Sequence, residues 1–173
     1  MTQFVGMGHR EQFVEQRGSN MLDGAAPWYT IYETSDGQHL SVGAIEPQFF
    51  AQLCERIGLA PEWHAAQNDR MRWPQLREQM AAIFRGRTRD AWAALLQDTD
   101  CCVAPVLSLG EAARHPHNSV RGTFVDVAGV SQPAPAPRFS RTPSQAGQVA
   151  AQATAGAEVL ARWTREPAAR SGT

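Results

Sequence analysis

The sequence contains no lysine; all 16 of its basic residues are arginine. That excludes a Schiff-base lysine and the lysine of a phosphate-binding loop. No GxGxxG, GxSxG or Walker sequence occurs either. The usual signals for dinucleotide binding, nucleophile-elbow hydrolysis and P-loop phosphoryl transfer are therefore missing. Cysteine is scarce: there are 3, Cys54, Cys101 and Cys102. An odd count without regular spacing is no disulfide framework, and no CxxC is present. Reduced thiols in a cytosolic protein are the plain expectation. No apolar run approaches the roughly 20 residues of a membrane span. No basic region leads into an apolar core at the start, as a secretory signal requires. The expected location is cytoplasmic. Charge of one sign is also lacking, with a formal net charge of -1 and a pI of about 6.5. Neither nucleic acid nor a membrane surface is expected as a partner.

What is present is a chain of 173 residues, long enough for a domain with its own core. Residues 1–28 are mixed and polar, with a partial helical pattern in Phe4, Met7 and Phe13. The stretch RGSNMLDGAAP is rich in turn formers. YTIYET and QHLSVGAI flank SDG and predict a hairpin with Gly37 at a φ > 0 position. Pro47 suits the first turn of a helix. Phe49, Phe50, Leu53 and Ile57 then share one face, and Gly58 suits the C-terminal cap. APEWHAAQNDRMRW reads as a loop with at most one helical turn. Leu76, Met80, Ile83 and Phe84 lie at helical spacing. Thr88 caps a further helix on which Trp92, Leu95 and Leu96 stack.

CCVAPVLS is a short apolar run broken by Pro105, which fits an edge strand or a covered extended segment. Ser108 caps a short helix over LGEAARH, and TFVDVAGV reads as one strand. Residues 131–143 form a proline-rich extended connector. The alanine-rich tail offers Val159, Leu160 and Trp163 as a docking face, with the last ten residues frayed. No internal repeat is visible. The fold class is α+β, with extended terminal docking segments. The expected divisions are an N-terminal docking segment over 1–28, a small α+β domain over 29–130, and a connector and tail over 131–173.

Glu46, in SVGAIEPQFF, is the first candidate for chemistry. An N-cap or first-turn carboxylate is favoured by the helix dipole. The same strand-to-helix junction would also hold a carboxylate in place to orient a catalytic histidine or bind substrate. The two readings are compatible. Asp23, in NMLDG, is most simply a turn aspartate followed by Gly24. His115 and His117 stand two apart, and Pro116 excludes a regular helix around them. No Cys, His or acidic cluster completes a metal shell with them, so no metal site is expected. Arg114 and Arg121 read as surface charges, with a ligand phosphate as the alternative. Cys101 and Cys102 lie in apolar surroundings without a paired histidine, as buried thiols do. Composition and periodicity alone reach no reaction.

Three stretches together carry a resemblance. RGSNMLDGAAPWYTIYETSDGQHLSVGAIEPQFF, DTDCCVAPVLSLGEAARHPHNSVRGTF and PAPRFSRTP follow one another at the spacing and in the order of the family III CoA-transferases. Over residues 13–143 the chain resembles the second half of those proteins, and most closely the α-methylacyl-CoA racemases among them. The resemblance implies the small α+β domain of a two-domain, interlocked dimer. The acyl-CoA substrate would lie between the large domain of one subunit and the small domain of the other. It implies a cofactor-independent proton exchange at the carbon next to the thioester, by a His and an Asp carried on the first half of the family's chain. Glu46 matches the racemase glutamate that contacts that histidine, an auxiliary catalytic role. Asp23 matches the family's NMLDG position and is not the catalytic Asp. The tail stretch QATAGAEVLARWT is only a weak echo of the family's last helix.

Three functions are compatible with that resemblance. The chain is the small-domain part of a racemase-like enzyme that epimerises 2-methylacyl-CoA, inactive without the His/Asp half. Alternatively it belongs to a CoA-transferase acting between carboxylic acids, which needs a second carboxylate acceptor. The third is a non-catalytic assembly module or gene remnant. The expected partners are acyl-CoA and either a second copy or a complementing N-terminal half, with no cofactor beyond the CoA of the substrate.

Overall fold

The computed structural model describes residue 6, residues 13–147 and residues 155–164. The helical pattern expected at Phe4 and Met7 lies outside the described residues, as does all but the first of the last ten. The chain forms two compact units, residues 1–106 and 107–173. They divide between Val106 and Leu107, whereas the sequence reading divides the chain after residues 28 and 130. Within the described residues the fold is mixed α and β, with small antiparallel sheets and helices.

The first unit is built on a three-stranded antiparallel sheet. Strands β1 (Tyr29–Glu33) and β2 (His39–Gly43) form the expected hairpin, with Ile31 opposite Ser41. Gly37 sits at φ 72° in its loop, a conformation that costs glycine little. Strand β3 (Val103–Pro105) pairs with the other side of β2, Ala104 opposite Ser41. Pro105 thus lies on an edge strand, where its missing N–H breaks no ladder. Tyr32, Leu40 and Val42 are buried while Ile31, Glu33, His39 and Ala104 are exposed. The period of two leaves one face packed and one open.

Three helices supply the packing. Helix α1 (Pro47–Ile57) starts at Pro47 and buries Phe50, Leu53, Cys54 and Ile57. It ends at Gly58, φ 72°, whose N–H donates to the carbonyls of Cys54 and Glu55. A 3-10 helix (Pro61–Ala66) of six residues, two turns at three residues each, exceeds the single turn expected in the loop. Helix α2 (Trp73–Phe84) buries Trp73, Leu76, Met80 and Phe84. Helix α3 (Arg89–Leu96) is capped by Thr88, whose hydroxyl accepts from Ala91 N. Trp92 and Leu96, four apart, go inward, but Leu95 stays 37% exposed. The expected stack of three is two, because Leu95 lies at the margin of an apolar stripe only eight residues long. The Phe84 ring lies 5.0 Å from Tyr32 and 5.4 Å from Trp92. Trp92 Nε1 donates to Phe84 O at 2.8 Å, so the core is pinned as well as packed.

In the second unit, helix α4 (Leu109–Arg114) opens with a reciprocal cap. Ser108 N donates to Glu111 Oε2 at 2.8 Å, and Glu111 N donates to Ser108 Oγ at 3.3 Å. Pro116 does not prevent helix around the two histidines, contrary to the sequence reading. It opens helix α5 (Pro116–Val120) at the first position, where no N–H is needed. His115 is the residue between the two helices. TFVDVAGV is likewise not one strand. Strands β4 (Phe124–Val127) and β5 (Val130–Pro133) form a hairpin through Ala128 and Gly129, both at positive φ. A two-residue loop with both residues left-handed matches the twist of the strands. Alanine at the first position hid that turn. Helix α6 (Gly156–Trp163) leaves Leu160 61% and Trp163 81% exposed.

Candidate functional site

The chain turns from sheet to helix over residues 43–47. Gly43 N donates to Cys102 O at 2.9 Å as the last rung of the sheet, and Ile45 N then donates back to Gly43 O at 2.9 Å. That three-residue turn ends β2 at Gly43, three residues before Glu46. Glu46 is extended at φ -71°, ψ 139°, in the N-cap position of α1. Its backbone carbonyl accepts from Phe49 N and Phe50 N, both at 3.0 Å. Its side chain makes no cap hydrogen bond and is exposed. Of the two compatible readings, the position is that of a cap, but the carboxylate is not used as one.

The junction is held from behind by Gln67, a buried residue that sequence reasoning passed over as loop. Its Nε2 donates to Ile45 O at 2.8 Å and to Ala44 O at 3.3 Å. Its backbone carbonyl accepts Trp28 Nε1 at 2.9 Å and Trp73 Nε1 at 2.8 Å. The two indoles meet edge to face, 6.1 Å apart. Gln67 therefore ties β1, the 44–46 junction and α2 together. No side-chain pattern announced it, because both indoles donate to its backbone carbonyl, an acceptor that any residue carries.

Beside the junction lies Cys102, exposed and at φ 52°. Partial desolvation, then the charges of Glu46 and Asp100, push its thiol pKa up. Cys54 is buried and its pKa is pushed up to about 12, chiefly by desolvation. Cys101 is buried too. The expectation of buried thiols holds for Cys101 and fails for Cys102, because the left-handed residue ahead of β3 turns outward.

Asp23 is part of a separate cleft of about 550 Å³ on the open side of β1 and β2, lined also by Arg17, Tyr29, Ile31, Ser41 and Gly43. Its carboxylate accepts Asn20 N and Asn20 Nδ2, both at 2.7 Å. The Asn20 amide bond is the first reason its pKa is lowered. The following Gly24, at φ 102°, is clasped by Arg77. Arg77 Nη2 donates to the carbonyls of Gly24 and, at 2.7 Å, Ala25. Glu46 does not line this cleft. His117, Arg114 and Arg121 are exposed in the second unit. Among the described residues no three or more His, Cys, Asp or Glu side chains cluster as a metal site, and no helix is long and apolar enough to cross a membrane.

Comparison with known proteins bears on this arrangement. Residues 1–157 match the sequence profile of CoA-transferase family III. Mouse alpha-methylacyl-CoA racemase is 44% identical over 131 residues, 75% of this chain and 34% of that protein. The human racemase is 42% identical over 130 residues, 74% and 34% of the two chains. A CaiB/baiF CoA-transferase family protein of Caenorhabditis elegans is 28% identical over 118 residues. The chain spans about a third of the length of the curated relatives it matches. Among solved structures, a point mutant of Rv3272 from Mycobacterium tuberculosis superposes with a TM-score of 0.59 at 14% identity, over 82% of this chain and 38% of that one. Another crystal structure of that protein gives 0.56 at 18% identity, over 65% and 33% of the two chains. At such identities the likeness concerns the fold alone.

Proposed function

Because the chain belongs to CoA-transferase family III, we propose that it forms the glutamate-bearing wall of a racemase-like site, exchanging the proton next to an acyl-CoA thioester. The observation that carries this reading is the 44% identity to an alpha-methylacyl-CoA racemase over 131 residues. The chemistry asks for more than a glutamate. The α-proton of a thioester is weakly acidic, so one base must remove it while an acid returns a proton to the other face. Donors must also stabilise the enolate oxygen formed between those steps. Glu46 supplies one carboxylate on a rigid junction. By the family resemblance the proton is exchanged by a His and an Asp carried on the first half of the family's chain, and in this reading that half complements the residues described here. Glu46 would hold the histidine in its productive orientation. CoA enters as part of the substrate, and the exchange needs no resident cofactor.

Transfer of CoA between carboxylic acids is the second reading, favoured by the likeness to the CaiB/baiF protein. One assay separates the two. The chain is mixed with a polypeptide carrying the His/Asp half of a racemase relative, given a 2-methylacyl-CoA, and tested with and without a free carboxylic acid. Inversion at the α-carbon without the acid supports the racemase reading. A new acyl-CoA formed only with the acid contradicts it and supports transfer.

A further inference from the structure

Two carbonyls at the strand-to-helix junction fall between the hydrogen-bonding patterns on either side of them. Strand β2 ends at Gly43 and helix α1 begins at Pro47, so the carbonyls of Ala44 and Ile45 belong to neither ladder. Ala44 is fully buried, where a carbonyl needs a partner from the protein. Both carbonyls are served by one group, the Gln67 amide nitrogen, at 3.3 Å and 2.8 Å. That nitrogen carries two hydrogens, one for each carbonyl. Gln67 is itself only 5% exposed, and the indoles of Trp28 and Trp73 donate to its backbone carbonyl. Its side chain thus reaches the junction from a base fixed in the core. The Glu46 carboxylate makes no cap bond that would hold it to its own helix. Its direction is therefore set by the backbone that delivers it, residues 44 and 45.

We infer that Gln67 is the positioning residue for Glu46, aiming its carboxylate through the carbonyls of Ala44 and Ile45. The inference rests on the racemase reading, in which Glu46 orients the histidine. A residue in this role touches neither the substrate nor the reacting atoms. It acts by removing the junction's freedom to swivel, and a misplacement of about 1 Å can cost a reaction about a hundredfold in rate. The chemistry of the site selects glutamine. Leucine fills the space without a donor, glutamate presents an acceptor where two carbonyls need donors, and asparagine is one methylene shorter. The indole bonds are made to the backbone of residue 67, so a side-chain substitution leaves them in place and separates aiming from packing.

Cys102 reads the aim of Glu46 without any substrate, since Cys54 and Cys101 are buried. Desolvation raises the Cys102 thiol pKa first, then the charges of Glu46, Asp100 and Cys101. Its backbone stays anchored when Gln67 is changed, because Cys102 O accepts Gly43 N and Asp100 N donates to Gln52 Oε1 at 2.6 Å. The pH profile of Cys102 alkylation is measured for the unsubstituted chain, Glu46→Gln, Gln67→Leu and the double variant. Glu46→Gln should lower the midpoint. Gln67→Leu should lower it too, and adding Glu46→Gln to Gln67→Leu should then change little. In a mixture with the His/Asp half of a racemase relative, Gln67→Leu should lower kcat for α-proton exchange about tenfold or more, with KM within about twofold. Gln67→Asn keeps the amide but shortens its reach, and repeats the test where leucine prevents folding. Trp92→Phe removes an indole bond to Phe84 that has no part in the junction. It should lower Tm without moving the thiol midpoint or kcat. An unmoved midpoint or kcat in the Gln67 variant, or an equal fall in kcat with Trp92→Phe, overturns the inference and leaves the racemase reading standing. No exchange by the mixture with the unsubstituted chain overturns both.

Discussion

Replacing Glu46 with glutamine keeps the side chain's length and hydrogen-bonding reach but removes its charge. The carboxylate caps nothing, so Glu46→Gln should leave Tm unchanged. In a complemented mixture it should lower the exchange rate by about a hundredfold, the low end for acid–base groups. A Tm loss with unchanged exchange would make it structural. Asp36 is the opposite kind of carboxylate. It accepts the Thr34 hydroxyl at 2.5 Å and the amides of Arg89 and Gln38, and that hydroxyl is the first cause of its lowered pKa. A lowered folded pKa means its stabilisation is present above the ordinary value of 3.8 and lost as pH falls through the folded value. The Tm gap between wild type and Asp36→Asn should therefore be constant at neutral pH and close below about pH 3.8. Among the thiols, only Cys102 should react with iodoacetamide at pH 8 in the native chain, and all 3 after denaturation. Rapid labelling of Cys54 would contradict its burial.

At the scale of elements, the junction stands on Gln67. Gln67→Leu keeps the volume but leaves the carbonyls of Ala44 and Ile45 without their donor. Denaturant titration should show a loss of about 1–3 kcal/mol. Exchange in the complemented mixture should fall in kcat more than in KM, since Gln67 positions Glu46 and touches no substrate. The hairpin of β4 and β5 yields a test of its own. Ala128 is held at φ 54°, which disfavours a side chain, so Ala128→Gly should stabilise the turn by about 1 kcal/mol. Slower amide exchange at Val127 and Val130 would report it.

These elements also show what the sequence makes legible. The first hairpin, α1 and the Thr88 cap could be read from it because each is governed by local rules: Gly37, Pro47, Gly58 and a threonine hydroxyl. The second hairpin could not, since alanine masks a left-handed turn whose cause is strand pairing. Gln67 was hidden for the same reason. Its four partners lie at residues 28, 44, 45 and 73, and no local pattern brings them together. Glu46 could be singled out because an apolar strand meets a helix-opening proline there, but only the fold shows that its carboxylate is left over.

For the molecule as a whole, the first unit has a closed core on one side of its sheet and an open apolar face on the other. The account is tested most directly by titrating the chain into a fixed amount of the His/Asp half and measuring deuterium entry at the α-carbon of a 2-methylacyl-CoA in D2O. The account predicts no exchange by the chain alone and exchange that saturates at one chain per half. Exchange by the isolated chain, or a mixture that never exchanges, would contradict it.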